Sequence, residues 1–271
     1  MKTVVITGST RGIGRGLAEN FLKKDCRVVI SGRSQQAVEQ VVAELESEYP
    51  GRVAGRHCEI TSAADIQSLW NAACEAFGGV DVWINNAGMS IARKPLAEQP
   101  VSELEKIVAT NLTGLLIANK VVLAEMLKKN HGQIWNMEGF GSTGQSAPGM
   151  VAYGATKRAL NYVNGSLQKE IKGTNVQVNT LSPGIVVTDL LVGDYDLASD
   201  EWRKTKKILN ILGDTVETVT PFLVDGVLKT AKSGARVAWL TTGKAFARFL
   251  TAGFNKRDLF VEHEAQVQQS V

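Results

Sequence analysis

Thr3-Val4-Val5-Ile6-Thr7-Gly8-Ser9-Thr10-Arg11-Gly12-Ile13-Gly14 decides the fold. Val4-Val5-Ile6 is a short β-branched apolar run and reads as a buried strand. Gly8, Gly12 and Gly14 let the backbone turn sharply and approach a ligand closely. From about Ile13 the pattern turns helical, with Leu17, Phe21 and Leu22 on one side. A strand, a glycine turn and a helix in that order set a pyrophosphate against a helix N-terminus, where free N–H groups and the positive end of the helix dipole meet it. The spacing is G-x-x-x-G-x-G and not the dinucleotide fingerprint G-x-G-x-x-G. The flanking strand and helix favour a ligand-binding turn over an empty one.

The alternation continues along the chain. Strands are expected at residues 3–7, 27–31, 52–58, 81–85, 132–136, 175–181 and 236–241, and helices at 12–24, 35–48, 63–77, 101–130, 152–172 and 215–232. Val28-Val29-Ile30 and Val80-Asp81-Val82-Trp83-Ile84 are apolar on both faces, as a helix-covered parallel sheet requires. The pattern predicts an α/β fold, a Rossmann-type doubly wound parallel sheet of about seven strands with right-handed crossovers. Residues 1–242 are expected to form the binding domain and 243–271 a helical C-terminal extension of it. Residues 193–199, punctuated by Gly, Asp and Ser, are the expected flexible segment.

With 271 residues and 44% hydrophobic content, the chain can build one sizeable core. The net charge of +3 is small, and no basic cluster is interleaved with aromatics, which argues against nucleic-acid binding. Cys26, Cys58 and Cys74 are odd in number and lack metal-ligand spacing, so they read as free thiols in a reducing compartment. His57, His131 and His263 form no cluster, and no metal site is expected. The first strand leaves no room for a leader peptide, and no apolar run reaches membrane-spanning length. The expected location is the cytoplasm; a plastid location requires a transit peptide that this sequence lacks.

Tyr153-Gly154-Ala155-Thr156-Lys157 follows a Gly/Ser-rich loop and opens a helical stretch. Positions i and i+4 share a helix face, so hydroxyl and ammonium converge on one ligand. A phenol with a pKa near ~10 is a poor acid or base at neutral pH. A fixed positive charge beside it favours the phenolate and makes the pair a candidate general acid/base. Taken alone, the spacing fits an exposed helix face equally well.

Five motifs in order resemble the short-chain dehydrogenase/reductase superfamily over nearly the whole chain: Thr7-Gly8-x-x-x-Gly12-x-Gly14, Asn85-Asn86-Ala87-Gly88, Thr110-Asn111-Leu112-Thr113-Gly114, Tyr153-x-x-x-Lys157, and Ser182-Pro183-Gly184-x-x-x-Thr188. The resemblance implies hydride transfer between a nicotinamide cofactor and a small carbonyl or alcohol substrate. Tyr153 would exchange a proton with the substrate oxygen, Lys157 would bind the nicotinamide ribose and lower the Tyr pKa, and Asn111 would hold a water in the proton relay. It also implies cofactor contacts from Gly8, Ser9, Thr10, Arg11, Gly12, Ile13 and Gly14, from Arg33, Glu59, Asn85, Ala87 and Gly88, from Tyr153 and Lys157, and from Pro183, Gly184, Ile185 and Thr188. Glu59 takes the place of an acid that contacts adenine. The long helices at 101–130 and 152–172 resemble the family's interface helices, so a homodimer or homotetramer is expected.

Within that superfamily, Asp81-Val82-Trp83-Ile84, Lys94-Pro95-Leu96, Asn136-Met137-Glu138-Gly139-Phe140-Gly141-Ser142 and Ser182-Pro183-Gly184-Ile185-Val186-Val187-Thr188-Asp189-Leu190-Leu191 resemble the chlorophyll b reductase branch, as does the tail around Phe249-Leu250-Thr251. Those enzymes reduce the formyl group of chlorophyll b to a hydroxymethyl group, which implies a chlorophyll-type pigment as substrate. A ketoacyl- or steroid-type carbonyl reductase, or a non-catalytic NADP-binding protein, are the alternatives.

The family carries a Ser about thirteen residues before the Tyr, and here that position is Phe140. Ser142, carried in by one extra loop residue, is the expected replacement, with a cap or turn in the glycine-rich loop as the alternative. Glu138, near the strand end, reads as a solvated carboxylate, with contact to substrate as the alternative. NAD enzymes of this fold place an acid after the second strand to hold the ribose 2′-hydroxyl. Here that strand ends Ile30-Ser31-Gly32-Arg33-Ser34, with no acid. Arg33 and Arg11 suit a 2′-phosphate, so NADP(H) is expected over NAD(H).

Phe246, Phe249, Leu250 and Phe254 recur at helical spacing, with Lys244, Arg248, Lys256 and Arg257 among or beyond them. Packing against the domain or a subunit is the expected use; peripheral membrane contact or a lid over an apolar substrate is the alternative.

Overall fold

The structure is a computed structural model that describes residues 1–193, 195, 197–254 and 257–261, with Glu201 described by its backbone alone. Seven parallel strands form one sheet in the order β3-β2-β1-β4-β5-β6-β7. They are β1 (Thr3–Ile6), β2 (Arg27–Gly32), β3 (Val53–His57), β4 (Val82–Asn85), β5 (Gly132–Met137), β6 (Val176–Ser182) and β7 (Arg236–Ala238). Helices α1 (Gly12–Lys23), α2 (Gln35–Glu48) and α9 (Val216–Lys229) cover one face. Helices α3 (Ala63–Phe77), α5 (Leu115–Lys129) and α6 (Val151–Glu170) cover the other.

The doubly wound arrangement follows from strand composition. In β1, Val4 and Ile6 enter one core and Val5 the other, all fully buried. A strand buried on both faces has no polar side to offer, so helices must cover both. Side-chain caps set several helix starts: Ser34 accepts from the Ala37 N–H, Ser62 from Asp65, Ser199 from Trp202 and Thr241 from Lys244. The cap at Thr241 also explains why the last strand stops at Ala238 and not at 241, because the chain leaves the sheet to begin α10 (Thr242–Thr251).

The single helix expected at 101–130 is three pieces: α4 (Val101–Val108), a π-helical turn (Ala109–Gly114) and α5. By length and composition Val101–Lys129 is apolar enough to span a membrane, but half of its most apolar window is buried in the protein. Ala118, Val122 and Met126 are fully enclosed in the core.

Between β6 and α9 the chain forms α7 (Asp189–Val192) and α8 (Asp200–Leu212), neither of which was expected. Part of the expected flexible segment, residues 194 and 196, lies outside the described residues, as do Lys256 and residues 262–271. A third apolar cluster of Val187, Val192, Trp202, Leu209 and Phe260 holds this region together. Trp202 packs edge-on to Phe260 at 5.0 Å and tilted to Tyr195 at 5.2 Å.

The C-terminal extension is tied on by an ion cluster and by buried Phe260, and not by the apolar stripe of α10. Phe246, Phe249, Leu250 and Phe254 are exposed, so of the two expected uses, packing on the domain or on a subunit, the first is not seen among the described residues. Arg248 and Arg257 instead converge on the buried Asp214 carboxylate at 2.7 and 3.1 Å, joined by the Trp239 indole N–H at 2.6 Å. Both guanidiniums also donate to the carbonyls that end α8, including Leu212 and Gly213. Asp214 bridges Val186 in turn, with its N–H on Ile185 and its carbonyl taking the Val187 N–H.

Candidate active site

Neighbouring strands β1 and β4 are the point where the strand order reverses, and in open α/β sheets the ligand crevice forms there, beyond the carboxyl ends of the strands. A cavity of about 690 Å³ occupies this place. Gly8, Thr10, Arg11, Gly12, Ile13 and Gly14 line one wall. Gly8 and Gly12 have φ of 62° and 55°, the left-handed region that glycine alone enters freely. A Cβ on Gly14 would collide with the Gly8 carbonyl and Asn86, so the turn closes only on a bare backbone. Helix α1 has no side-chain cap and no acid in its first turn, which leaves its N–H groups and positive end facing the cavity. This wall suits the pyrophosphate of a dinucleotide.

The neighbouring motif residues divide into those that line the cavity and those that brace it. Asn86, Ala87 and Gly88 line it. Asn85 does not: it accepts from the Trp83 indole at 2.8 Å and donates to Asn136 at 2.7 Å. Asn136 continues to Asn119 and Asn164, a buried asparagine ladder that ties β4 and β5 to α5 and α6. Ser9 is also buried and off the cavity, with its hydroxyl on the Ile6 carbonyl and the Ser31 N–H. Thr7 accepts from the N–H groups of Asn86 and Ala87, both at 3.0 Å, and so fixes the β4 loop to the β1 turn.

Tyr153 and Lys157 lie one turn apart on α6 and both line the cavity. Lys157 is buried, lies 5.8 Å from the Tyr153 ring centroid and donates to the Met137 carbonyl at 3.1 Å. Burial pulls its ammonium down to about 8, while the Glu138 carboxylate pushes the other way. It is therefore still mostly charged at pH 7.

Asn111 sits in the π-helical turn, buried, and clamps the backbone of Met89 from both sides at 2.8 Å. It stands behind the cavity wall, which Thr110 and Met89 provide. Its interrupted helix is the kind of local distortion that recurs at functional sites.

The loop after β5 differs from expectation. Position 140 holds Phe140, which is exposed and lines the cavity. Ser142 is 1% exposed and off the cavity. Its hydroxyl accepts the Gly139 N–H at 3.1 Å and its own N–H goes to the Gly139 carbonyl, a tight turn that uses the side chain locally. The position aimed at the tyrosine is Gly139, where a Cβ would fall on Tyr153 Oη and the Lys157 stem. Glu138 is likewise not solvated. It is 5% exposed and gripped by Arg236 through two nitrogens at 2.8 to 3.0 Å. The partners are 98 residues apart, and only the sheet order brings their strand ends together.

At the end beyond β2, Gly32 and Arg33 line the cavity and Arg33 is exposed. Arg11 makes an exposed pair with Asp189 at 3.4 Å. Glu59 turns away, its carboxylate accepting from Thr61, and Cys58 and Ile60 line the wall on either side of it. Burial pushes the Cys58 thiol up to about 12, so it stays protonated. Pro183, Gly184, Ile185 and Thr188 complete the wall beyond β6.

The family model for the short chain dehydrogenases matches residues 2–196. The chain belongs to that family. Among curated relatives, this dehydrogenase is 34% identical over 268 residues to the probable chlorophyll(ide) b reductase NYC1, chloroplastic, of Arabidopsis thaliana, covering 93% of this chain and 53% of that one. It is 36% identical over 257 residues to the Arabidopsis chlorophyll(ide) b reductase NOL, chloroplastic, covering 92% and 72%. It thus spans about half the length of the first relative and lies close to the chlorophyll(ide) b reductase branch. The solved structure of ElxO with NADP bound superposes with a TM-score of 0.73 at 25% identity, covering 88% of this chain and 97% of that one. The dehydrogenase chain is thus an oxidoreductase domain of the kind that acts on carbonyl and CH–OH groups with a nicotinamide cofactor.

Proposed function

We propose that the protein is an NADP(H)-dependent carbonyl reductase whose substrate is a chlorophyll-type formyl pigment. One observation carries the chemistry: Tyr153 and Lys157 face the same cavity as the uncapped N-terminus of α1 and its glycine turn. When bound, the nicotinamide supplies the hydride. Tyr153 Oη gives the proton to the substrate oxygen, and the Lys157 ammonium stabilises the phenolate left behind. Lys157 would also hold the nicotinamide ribose. Asn111 serves by positioning Met89 and the loop that carries Gly88. Ser142 serves the site through the turn at Gly139.

Exposed Arg33 stands where an NAD enzyme would carry an acid, which supports a 2′-phosphate and hence NADP(H). The likeness to two chlorophyll(ide) b reductases supports the pigment. Residues 1–242 and 243–271 act as one unit, joined through Asp214. Cell fractionation tests whether the protein is cytoplasmic. Turnover across a carbonyl panel that includes chlorophyllide b, with NADPH, NADH and cofactor-only controls, tests the rest. Tyr153→Phe should lower turnover by ~10²–10⁴-fold while NADPH still binds. Arg33→Asp should narrow or reverse the preference for NADPH. Equal NADH affinity in the unmodified protein would remove the cofactor assignment, and full turnover by Tyr153→Phe would remove the mechanism.

A further inference from the structure

Arg93 lies in the loop after β4 and lines the same cavity as Tyr153. Its guanidinium stacks on the Tyr195 ring, 4.4 Å from the centroid. Its Nε is buried and has no hydrogen-bond partner among the described residues. The loop is held in place from behind. At Gly149, φ is +74°, and a Cβ there would lie 3.2 Å from that of Arg93. Elsewhere the cavity wall carries apolar side chains, Met150, Ile208 and Leu209 among them, beside Ser146 and Thr205.

Arg93 is half-buried at the cavity with no acidic partner among the described residues, and a cation so placed is favoured when a ligand of opposite charge meets its accessible end. Stacking on Tyr195 uses the face of the guanidinium, and its two terminal nitrogens have no hydrogen-bond partner among the described residues. Those donors form a fork that fits a carboxylate through two parallel hydrogen bonds. The other cations at the cavity have their own partners or places: Arg11 pairs with Asp189, Lys157 holds the Met137 carbonyl, and Arg33 sits beyond β2.

We propose that Arg93 binds a carboxylate carried by the substrate. The site then takes a carbonyl compound with an acidic arm and an otherwise apolar body. This rests on the carbonyl-reductase reading and sharpens it: the pigment is bound as the free acid, chlorophyllide, and not as its ester.

The test uses the purified full chain with NADPH and three acid–ester pairs: chlorophyllide b, 4-formylbenzoic acid and 4-formylcinnamic acid, each beside its methyl ester. The unmodified protein should favour the acids in kcat/KM by roughly 10- to 100-fold, the worth of a charge-assisted hydrogen-bond pair. In Arg93→Gln the acid-to-ester ratio should fall to about one, in Arg93→Lys it should stay between the two, and in Arg93→Glu it should invert. An acid-to-ester ratio near one in the unmodified protein, or one unchanged in Arg93→Gln, overturns the proposal. Thermal unfolding of each variant separates loss of the fold from loss of the contact. Preference for the simple acids without turnover of the pigment would sink the pigment and keep Arg93. Equal reduction of chlorophyllide b and its ester would do the reverse. Where no compound turns over, Kd values of chlorophyllide b and its ester for the NADP-loaded protein give the same ratio.

Discussion

A methyl group added at Gly139 would land on the phenolic oxygen of Tyr153. The strand end that leads into the β5 loop therefore carries no side chain where the tyrosine hydroxyl sits. The obstacle is the far end of a side chain, which can swing away, so the fold should accept the change while the site does not. Gly139→Ala should unfold within a few degrees of the unmodified protein and bind NADPH. Its turnover should drop by about 10²-fold, the scale of an ångström-sized displacement of a reacting group. Steady-state kinetics beside a melting curve checks this. Ser142→Ala, whose hydroxyl serves only the Gly139 turn in this structure, should change turnover far less and cost about 1 kcal/mol or less.

Lys157 gives a pH signature to the cofactor-free protein. Its pKa falls from 10.5 to about 8, mainly through burial. A depressed lysine pKa means that the folded state holds the proton less tightly than the unfolded one. The penalty is full below about 8 and is relieved as pH rises toward 10.5. Denaturant melts of the unmodified protein should show stability gained across that window relative to Lys157→Met, which lacks the titrating group. At pH 7, Lys157→Met should be the more stable protein, by on the order of 1–3 kcal/mol, and inactive. A flat difference between the two from pH 7 to 10.5 would contradict the buried ammonium.

Asp214 works in the opposite direction. Burial alone would raise its carboxyl pKa, but hydrogen bonds from Arg248, Trp239 and Arg257 and the charge of Arg248 outweigh it and hold it below the ordinary range. A depressed carboxylate contributes stability that is complete above its unfolded pKa, near ~3.9, and is lost as pH falls through the lower folded value. Asp214→Asn should remove this acid-side dependence and cost roughly 2–3 kcal/mol by leaving two guanidiniums without their counter-charge. Because Asp214 also bridges Val186, KM for substrate should rise more than kcat falls. Melts from pH 3 to 7 and a KM measurement decide it.

A second cleft of about 460 Å³ runs along α5 and α6, lined by Leu116, Leu123, Leu127, Val163 and Leu167. Leu116, Leu127 and the nearby Tyr162 are exposed. This face is the expected homo-oligomer contact, and closed symmetry is the usual outcome for such a surface. Light scattering at micromolar concentration should give a dimer or tetramer mass, and Leu116→Arg with Tyr162→Asp should shift it to monomer. A monomer mass for the unmodified chain would contradict it.

Much of the fold was legible because buried parallel strands announce themselves as apolar runs, Val4-Val5-Ile6 and Val28-Val29-Ile30 among them, separated by helical periodicity. The glycine turn and the Tyr–Lys pair were legible because both are local in sequence. What escaped was non-local or irregular. The π-helical turn at Asn111 leaves the helical hydrophobic pattern almost unbroken, so it read as one helix. Glu138 looked solvated because its partner, Arg236, joins only through strand order. Counting back from Tyr153 led to Phe140 and Ser142, since loop spacing cannot show which Cα direction meets the hydroxyl; Gly139 has no side chain to draw attention. The amphipathic stripe at Phe246 and Phe249 suggested packing, whereas the arginines between and beyond those residues make the attachment.

The Asp214 clasp sets a rule for redesign. Its members are spread from Asp214 through Trp239 and Arg248 to Arg257, a separation of 43 residues, and they hold the end of the helix whose Ile208 and Leu209 line the cavity. Transplanting residues 185–213 from another dehydrogenase would import a new substrate wall without its fastening. A chimera made that way should fail, whereas one that exchanges everything from 185 to the C-terminus as a cassette keeps wall and fastening matched. In this chain the wall and its fastening therefore form one unit, which reaches well past the residues that the family pattern covers.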